Sequence, residues 1–433
     1  MDYNLPKLYR DYGQYSNWRN FPSEVDGLKP VERRVLLSAF KIARNKFAKS
    51  RQVDAYTIGH YHPHGECYGT IVQLVRQGFL TGQGNFGSNV GIESIGPAAP
   101  RYTECKSKQR TIDMAFKIVD HVQWIQTEFD DKEPSHLPIM YPACLLGSEY
   151  TQGIGFGFKT FIPCYAERDL LQRLLWLLGV RKRKPIIAPI TNCAITSTPE
   201  DIEKLLTTGK AKILVEGVII EQPRTNSVIL KSWPPGKKFE SLLRKFSNEL
   251  NDGMIGFTDL SVTETEIKFQ VLRERNRDKI YKEFVNKLKN VIKGSIPFEI
   301  VVTDVNQKVI VKSVDDMLLD TYKMFCAINE KMLKHKVKRL VELIAEYKAL
   351  EIIRKPLGIY ISKNWDIEDA LKSIEKTTDV SAETAKALIN KYRINKMFTL
   401  NTETTEINNE IKEYNNCLSN LNNFVLEQYN GLQ

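Results

Sequence analysis

An α+β multidomain chain is predicted from three observations. In the first third, apolar residues at helical spacing alternate with turns rich in histidine and glycine. In the middle, helical runs alternate with short strand-like runs, and the last third carries a heptad seam. At 433 residues with 42% hydrophobic content, the chain is long enough for roughly two to four domains, each with its own core.

The first helix follows from Val31, Val35, Leu36, Ala39, Phe40 and Ala43, with Pro30 in the first turn, where its missing N–H costs little. Its basic residues are expected on an outer, solvated face. A second helix opens after Pro63-His64-Gly65, runs through Ile71, Val72, Leu74 and Val75, and stops at Gly78. Two such helices, about 30 residues apart, suit a helix-turn-helix on DNA. Gly82 to Ser88 then forms a tight loop or wing.

After Pro163 the helical runs are Leu170 to Val180 and Phe239 to Leu250, the latter stopped near Gly253. Strand-like runs lie at Ile213 to Ile220, Val228 to Leu230, Ile267 to Leu272, Ile300 to Val302 and Val309 to Val311. Near the end, Ile407, Ile411, Tyr414, Leu418, Leu421 and Val425 follow heptad a/d spacing. Their expected partner is a helix near 330–353 with Val337, Leu340, Ile344 and Tyr347 on one stripe. Between them sits a small helical insert, Lys355 to Leu400, with a helix capped near Ser381.

With 62 Lys+Arg against 52 Asp+Glu the formal charge is +10, a sign that favours polyanionic partners. Eight basic residues against one acid lie between Lys29 and Arg51. The most apolar window, Leu170 to Val180, is too short to span a bilayer, and Met1 to Pro6 lacks the features of a signal peptide. A soluble, cytoplasmic protein is expected. The seven cysteines form no CxxC pair, so they are read as reduced thiols rather than as a disulfide framework or zinc site.

The chemistry concentrates in Pro97-Ala98-Ala99-Pro100-Arg101-Tyr102-Thr103-Glu104, read together with Tyr61-His62-Pro63-His64-Gly65-Glu66. A phenol is protonated at neutral pH, so Tyr102 as a nucleophile on a phosphodiester needs a base and cations on the phosphate oxygens. His64 and Arg101 supply these types. His60, His62 and His64 also permit a metal reading, with ligands alternating along an extended strand, but no carboxylate or thiol completes a tetrahedral set in the nearby sequence. Gly82-x-Gly84-x-x-Gly87 matches the dinucleotide fingerprint without its strand-turn-helix unit, and no GxxxxGK[ST] loop occurs. ATP binding by this chain is not expected.

Leu28-Lys29-Pro30-Val31-Glu32-Arg33-Arg34-Val35-Leu36, Tyr61 to Glu66, Gly82 to Ser88 and Ala98 to Glu104 occur in an order and spacing that resemble the breakage-reunion subunit of type IIA DNA topoisomerases, the gyrase A and topoisomerase IV A group. In length the chain is most similar to the medium subunit of T-even bacteriophage topoisomerases. Gly153 to Gly157 with Ile162-Pro163 resembles the end of that family's DNA-binding floor, and Ser381 to Leu400 its C-terminal gate helices.

The resemblance implies a winged-helix DNA-cleavage domain over 1–159, an α+β tower over 160–312, and a long antiparallel coiled coil over 313–433 with a small helical dimerisation tip near 355–400. It implies Tyr102 as the nucleophile that keeps the 5′ phosphate, with Arg101 beside it, Arg19 as a second catalytic arginine and His64 as general base. Lys29, His60, His62 and Gln83 fall at DNA-contact positions, and Ile154 at that of an isoleucine that wedges between base pairs. It further implies a homodimer acting on duplex DNA with a gyrase B-like ATPase subunit. Mg²⁺ and ATP are expected on that partner, because no EGDSA or DxD motif is present here. Glu32 and the short Cys67-Tyr68-Gly69 segment depart from the gyrase pattern, and no QRRGGKG box occurs, so DNA wrapping is not expected.

Two other readings stay open at the level of sequence. A noncatalytic, dimeric DNA-binding or architectural protein explains the charge and the helix pair but leaves Arg101-Tyr102 idle. A tyrosine recombinase also forms phosphotyrosine, yet it carries that tyrosine near its C-terminus rather than in the first quarter of the chain.

Overall fold

The computed structural model describes residues 4–362, 366–392 and 397–431, which fall into two compact units, one drawn from Met1–Phe325 and one from Cys326–Gly431. Both are mixed or helical in the way the periodicity predicts, and the first holds every candidate site residue.

The first unit opens with helix α1 (Leu5–Asn20), whose Asn4 side chain accepts the Lys7 N–H. Helix α2 (Pro30–Ile42) starts where Pro30 predicts, and the Glu32 carboxylate accepts the Lys29 N–H at 2.8 Å. Strand β1 (Ala48–Lys49) leads into α3 (Ser50–His60), a helix the sequence reading does not contain. Helix α4 (Tyr68–Arg76) ends at Gly78, which takes a φ of +82°. Strands β2 (Leu80–Gln83) and β3 (Glu104–Ser107) complete a three-stranded sheet in the order β1-β3-β2.

The basic outer face expected for α2 is not what forms. Arg33 and Arg34 are buried, Arg33 in a fork on Asp26 (2.7 and 3.1 Å) and Arg34 in a fork on Glu133 (both 2.8 Å). The planar guanidinium matches a carboxylate bidentately, which is the geometry in which a buried charge pair is tolerated.

Helix α5 (Gln109–Ala115) and the hairpin of β4 (Trp124–Gln126) and β5 (Lys132–Pro134) lead to β6 (Thr151–Ile154) and β7 (Lys159–Ile162). Helix α6 (Glu167–Leu177), β8 (Ala194–Ile195), α7 (Pro199–Thr208), β9 (Lys210–Glu216) and β10 (Ile219–Gln222) follow. The single run predicted over Ile213 to Ile220 is therefore two strands. It breaks at Gly217, where a Cβ would lie 2.3 Å from the Ser232 carbonyl oxygen, and the two halves enter different sheets.

Next come β11 (Ser227–Leu230), α8 (Phe239–Leu243), α9 (Ser247–Asn251), β12 (Ile255–Asp259) and β13 (Ile267–Val271). The helix predicted over 239–250 is interrupted by a 3₁₀ turn at Arg244–Phe246. Helix α10 (Arg277–Val291), β14 (Lys293–Glu299), β15 (Val301–Thr303) and β16 (Val309–Val311) close the series. One antiparallel sheet has the order β6-β7-β14-β9-β8 and so draws strands from both sides of residue 160. A second, β10-β11-β13-β12, buries Val228, Phe269 and Val271 against Phe246, Phe284 and Leu288.

Helix α11 (Val314–Ser362) begins in the first unit, where the buried Arg173 guanidinium pairs with Asp315 and Glu203, each at 2.7 Å. In the second unit, α11 continues through Pro356 and its Leu350, Ile353 and Leu357 share a core with α12 (Ile367–Thr377) and α13 (Ala382–Tyr392). The Ser381 hydroxyl caps α13 by accepting the Thr384 N–H, as expected. Residues 363–365 and 393–396 of the predicted tip lie outside the described residues.

The heptad seam is not one helix. It divides into Thr405–Ser419 and Leu421–Asn430 at Asn420, where φ is −120° and ψ 41°. Of the seam residues Val425 is buried, while Ile407, Ile411, Tyr414, Leu418 and Leu421 are half-buried. Contacts to the expected partner helix exist nonetheless: the Lys336 ammonium lies 5.0 Å from the Tyr414 ring centre, and Gln428 donates to Asn329 at 3.0 Å. Among the described residues the cysteines form no disulfide, and no helix is long and apolar enough to cross a membrane.

Candidate functional site

Tyr102 stands in the loop that joins β2 to β3, two residues before Glu104, which pairs in register with Gln83. Its backbone is fixed from two sides. The N–H groups of Ser50 and Arg51, at the start of α3, donate to the carbonyls of Thr103 (2.9 Å) and Pro100 (3.2 Å). The Tyr68 hydroxyl donates to the Ala98 carbonyl at 2.7 Å and lies 3.0 Å from the buried Thr103 hydroxyl. The phenol is nevertheless 66% exposed, and the Arg101 guanidinium sits 4.7 Å from its ring centre. A fixed main chain carrying a free, cation-flanked hydroxyl is what attack on an external phosphate requires.

A second group gathers where α1, α2 and the turn after α3 meet. The Tyr15 hydroxyl shares a 2.5 Å hydrogen bond with His64 Nε2, and the Arg19 guanidinium lies 5.7 Å from the Tyr15 ring centre. The His62 and His64 rings are 5.3 Å apart, and Arg34 Nη1 donates to His62 Nδ1 at 3.4 Å. His62 is buried, and burial with the nearby Arg34 charge pushes it down to about 4. Burial and Arg19 also lower His64 from the ordinary 6.5, so the ring is neutral at pH 7 and has a lone pair to accept a proton.

His60, His62 and His64 do not alternate along a strand as the metal reading requires. His60 closes helix α3 and His62 and His64 occupy the following turn, with His60 Nδ1 held 2.7 Å from Asp131. Among the described residues, no three histidine, cysteine, aspartate or glutamate side chains are placed to hold a metal.

Lys29 and Ile154 come together through β6: the Lys29 ammonium donates to the Gln152 carbonyl at 2.6 Å, two residues before Ile154. Asn17 of α1 grips the turn after β6, its Oδ1 accepting the Phe156 N–H at 2.6 Å. Gly153 makes the approach possible, since a Cβ there would lie 2.4 Å from the Asn20 carbonyl oxygen. Ile154 is left 82% exposed, with Phe156 and Phe158 about half exposed beside it.

Within one chain the candidate set is thus split. Tyr102 and Arg101 make no hydrogen bond, ion pair or ring contact with Arg19, His62 or His64 among the described residues. Tyr15, Arg34 and Glu133 hold the candidate histidines or their neighbours, and sequence reasoning did not place them there. Tyr15 was within reach, because it lies one helical turn before Arg19 on α1. Glu133 was not, since 99 residues separate it from Arg34. Glu32 and Cys67, the departures from the gyrase pattern, are buried and structural. Burial raises the Glu32 carboxyl, which caps α2, and raises the Cys67 thiol, whose N–H and sulfur both meet Asp54.

The chain is 21% identical to the gyrase A protein of Thermotoga maritima over 415 residues, covering 90% of this chain and 51% of that protein. It is 29% identical over 323 residues to the gyrase A protein of Haemophilus influenzae, covering 68% and 36%. Against the topoisomerase 4 A protein of Staphylococcus epidermidis it is 28% identical over 311 residues, covering 64% and 38%. The chain therefore spans between about a third and a half of the length of these relatives. A family model describing the A subunit of DNA gyrase/topoisomerase IV matches residues 19–430, nearly the whole chain, and the chain belongs to that family.

Proposed function

We propose that this chain is the DNA-cleaving and religating subunit of an ATP-dependent type II DNA topoisomerase, acting on duplex DNA. The observation that carries the reading is the presentation of Tyr102: rigid main chain, exposed phenol, guanidinium beside it. The phenol oxygen attacks phosphorus, the P–O3′ bond breaks, and the chain is left on the 5′ phosphate with a free 3′ hydroxyl. The phenolic proton passes to a base and the leaving oxygen takes up a proton. One phosphoester replaces another, so resealing by the reverse steps needs no ATP.

The roles follow residue by residue. Arg101 and Arg19 neutralise charge developing on the phosphate oxygens. His64, neutral at pH 7, is the base once Tyr15 releases Nε2. Lys29, His60, His62 and Gln83 contact or orient the DNA backbone, and Ile154 is the wedge that unstacks a base step. Because Tyr102 makes no hydrogen bond or ring contact with Arg19 or His64 among the described residues, we assign the complete centre to two copies, each supplying one half to the other in a homodimer.

As to Mg²⁺ and ATP, no group of three His, Cys, Asp or Glu side chains that could hold a metal is present among the described residues, and the sequence has no phosphate-binding P-loop. Both belong, in this reading, to a gyrase B-like partner subunit, and no step here is routed through them. Residues 1–159 are assigned to a winged-helix cleavage domain with Gly82 to Ser88 as tight loop or wing, 160–312 to a tower, and 313–433 to an antiparallel coiled coil with a dimerisation tip near 355–400.

The test is denaturant trapping of protein on nicked or cut plasmid by the chain with its ATPase partner. Wild type forms the adduct and Tyr102→Phe does not. An adduct from Tyr102→Phe sinks the assignment, and no adduct from either protein turns the reading toward a noncatalytic architectural role.

A further inference from the structure

The loop between β2 and β3 holds Tyr102 near one end, and its tip is not free. Ser88 and Ile95 exchange both backbone hydrogen bonds (2.9 and 2.8 Å), closing a small ring around residues 89–94. At that tip the Ile92 N–H donates to Asp259 Oδ2 at 3.0 Å, and the Gly91 N–H donates to the Thr265 hydroxyl at 3.2 Å. Asp259 ends β12, the edge strand of the β10-β11-β13-β12 sheet, 167 residues away in sequence. The Ile92 side chain packs against the hydrophobic core of that same sheet.

The contact is built on both sides. The other carboxylate oxygen of Asp259 accepts the Ser261 N–H at 2.9 Å, and the Ser261 hydroxyl accepts the Glu266 N–H at 2.8 Å, so Asp259 is held before it meets the loop. Gly91 takes a φ of +89°, and a Cβ there would lie 2.9 Å from Asp259 Oδ2, so only glycine admits this approach. Although partial burial opposes its ionisation, hydrogen bonds from Ser261 and Ile92 hold the Asp259 carboxyl below its ordinary range, as an anionic acceptor. Below the tip, the Asn85 carbonyl accepts the Ala98 N–H at 2.9 Å and Arg76 Nε donates to the Phe86 carbonyl, so the loop is braced along its length down to Tyr102.

We propose that Asp259, with Thr265, is a positioning residue for Tyr102: it clamps the tip of the tyrosine loop to the edge of the four-stranded sheet and thereby fixes the attacking oxygen. This rests on the reading of Tyr102 as nucleophile. The clamp touches no substrate.

The test uses the full chain with its ATPase partner and compares wild type, Asp259→Ala, Asp259→Asn, Thr265→Val and Gly91→Ala. At saturating duplex DNA the rate of covalent adduct formation falls about tenfold or more in Asp259→Ala and Gly91→Ala, the scale expected for a misplaced reacting group, while the Kd for duplex DNA stays at the wild-type value. Asp259→Asn, which keeps one acceptor oxygen, recovers part of the rate. Amide exchange at Gly91 and Ile92 quickens in the impaired variants. Wild-type adduct rates in both Asp259→Ala and Gly91→Ala overturn the clamp, as does a rate loss matched by an equal loss of DNA affinity. Tyr102→Phe runs alongside: an adduct from that variant removes the nucleophile reading itself, whereas a Tyr102-dependent adduct with unimpaired Asp259→Ala removes only the clamp. If Asp259→Ala does not fold, Thr265→Val and Gly91→Ala test the same contact from its other members.

Discussion

The two halves of the candidate centre solve opposite problems. Around Tyr102 the main chain is what is held, by backbone donors of α3 and by the Tyr68 hydroxyl, while the exposed phenol has the Arg101 guanidinium beside its ring. Around His62 and His64 the side chains are the structure: Arg34 is locked to Glu133 and to His62, and Tyr15 to His64. A nucleophile must be free to meet an external phosphate, so its precision has to come from the backbone. A base and its cationic neighbours must hold a protonation state and an orientation: Arg34, Glu133 and His62 do so buried, at a desolvation cost, and Tyr15 orients the exposed His64.

The largest effect should come from the exposed half. Tyr102→Phe removes the reacting oxygen and nothing that packs, so trapping assays show no adduct while the melting temperature and duplex affinity stay at wild-type values. In the buried half the same logic reverses. Arg34→Ala strands the Glu133 carboxylate, whose side chain is 10% exposed, and should cost about 3–5 kcal/mol of stability, read by denaturant unfolding. If Arg34→Ala is as stable as wild type, the contrast between the halves fails.

Arg101→Ala sharpens the comparison from the other side. It should lower adduct formation by about 10²–10³-fold through lost phosphate stabilisation, with stability changed by less than about 0.5 kcal/mol, as for other surface substitutions. Tyr15→Phe should do less, changing the cleavage rate by under about tenfold and stability by about 1 kcal/mol, the worth of one hydrogen bond. The remaining effect is protonic and is read by pH rather than by loss of a contact. His62 binds its proton at about 6.5 when unfolded and at about 4 when folded, so the neutral ring contributes stability above pH 6.5 that is lost as pH falls toward 4. Melting curves between pH 7 and pH 4 should show that loss, and His62→Gln should flatten it.

What the sequence reveals and what it hides follow from range. Helix α2 is legible because Pro30 and its apolar residues act within one turn of each other, and the α13 cap at Ser381 for the same reason. Arg101-Tyr102 is legible because its character is local chemistry. Helix α3 was missed: its buried residues Ser50, Val53, Asp54 and Thr57 include polar side chains satisfied by partners elsewhere, which hydropathy spacing does not see. Strand β14 was missed because Pro297 argues against a strand. It is tolerated because β14 meets β7 only at Glu299 and Phe161, leaving Pro297 beside a single neighbour, β9. The break at Asn420 is invisible to a heptad count, which records spacing and not backbone angles. Contacts such as Tyr15 to His64, or Ile92 to Asp259, join residues 49 and 167 positions apart and belong to the tertiary fold alone.

The hairpin of β6 and β7 leaves Ile154, Phe156 and Phe158 in water at the end of a turn that Asn17 holds rigid. Apolar surface of this kind has a calorimetric signature that charged surface lacks. When a ligand covers it, the heat capacity of the system falls, whereas phosphate contacts by lysine and arginine appear as a steep dependence of affinity on salt. Titration calorimetry at several temperatures and ionic strengths therefore separates what this hairpin contributes from what the basic residues contribute. Ile154→Ala should reduce the heat-capacity change of DNA binding and leave the salt slope where it was.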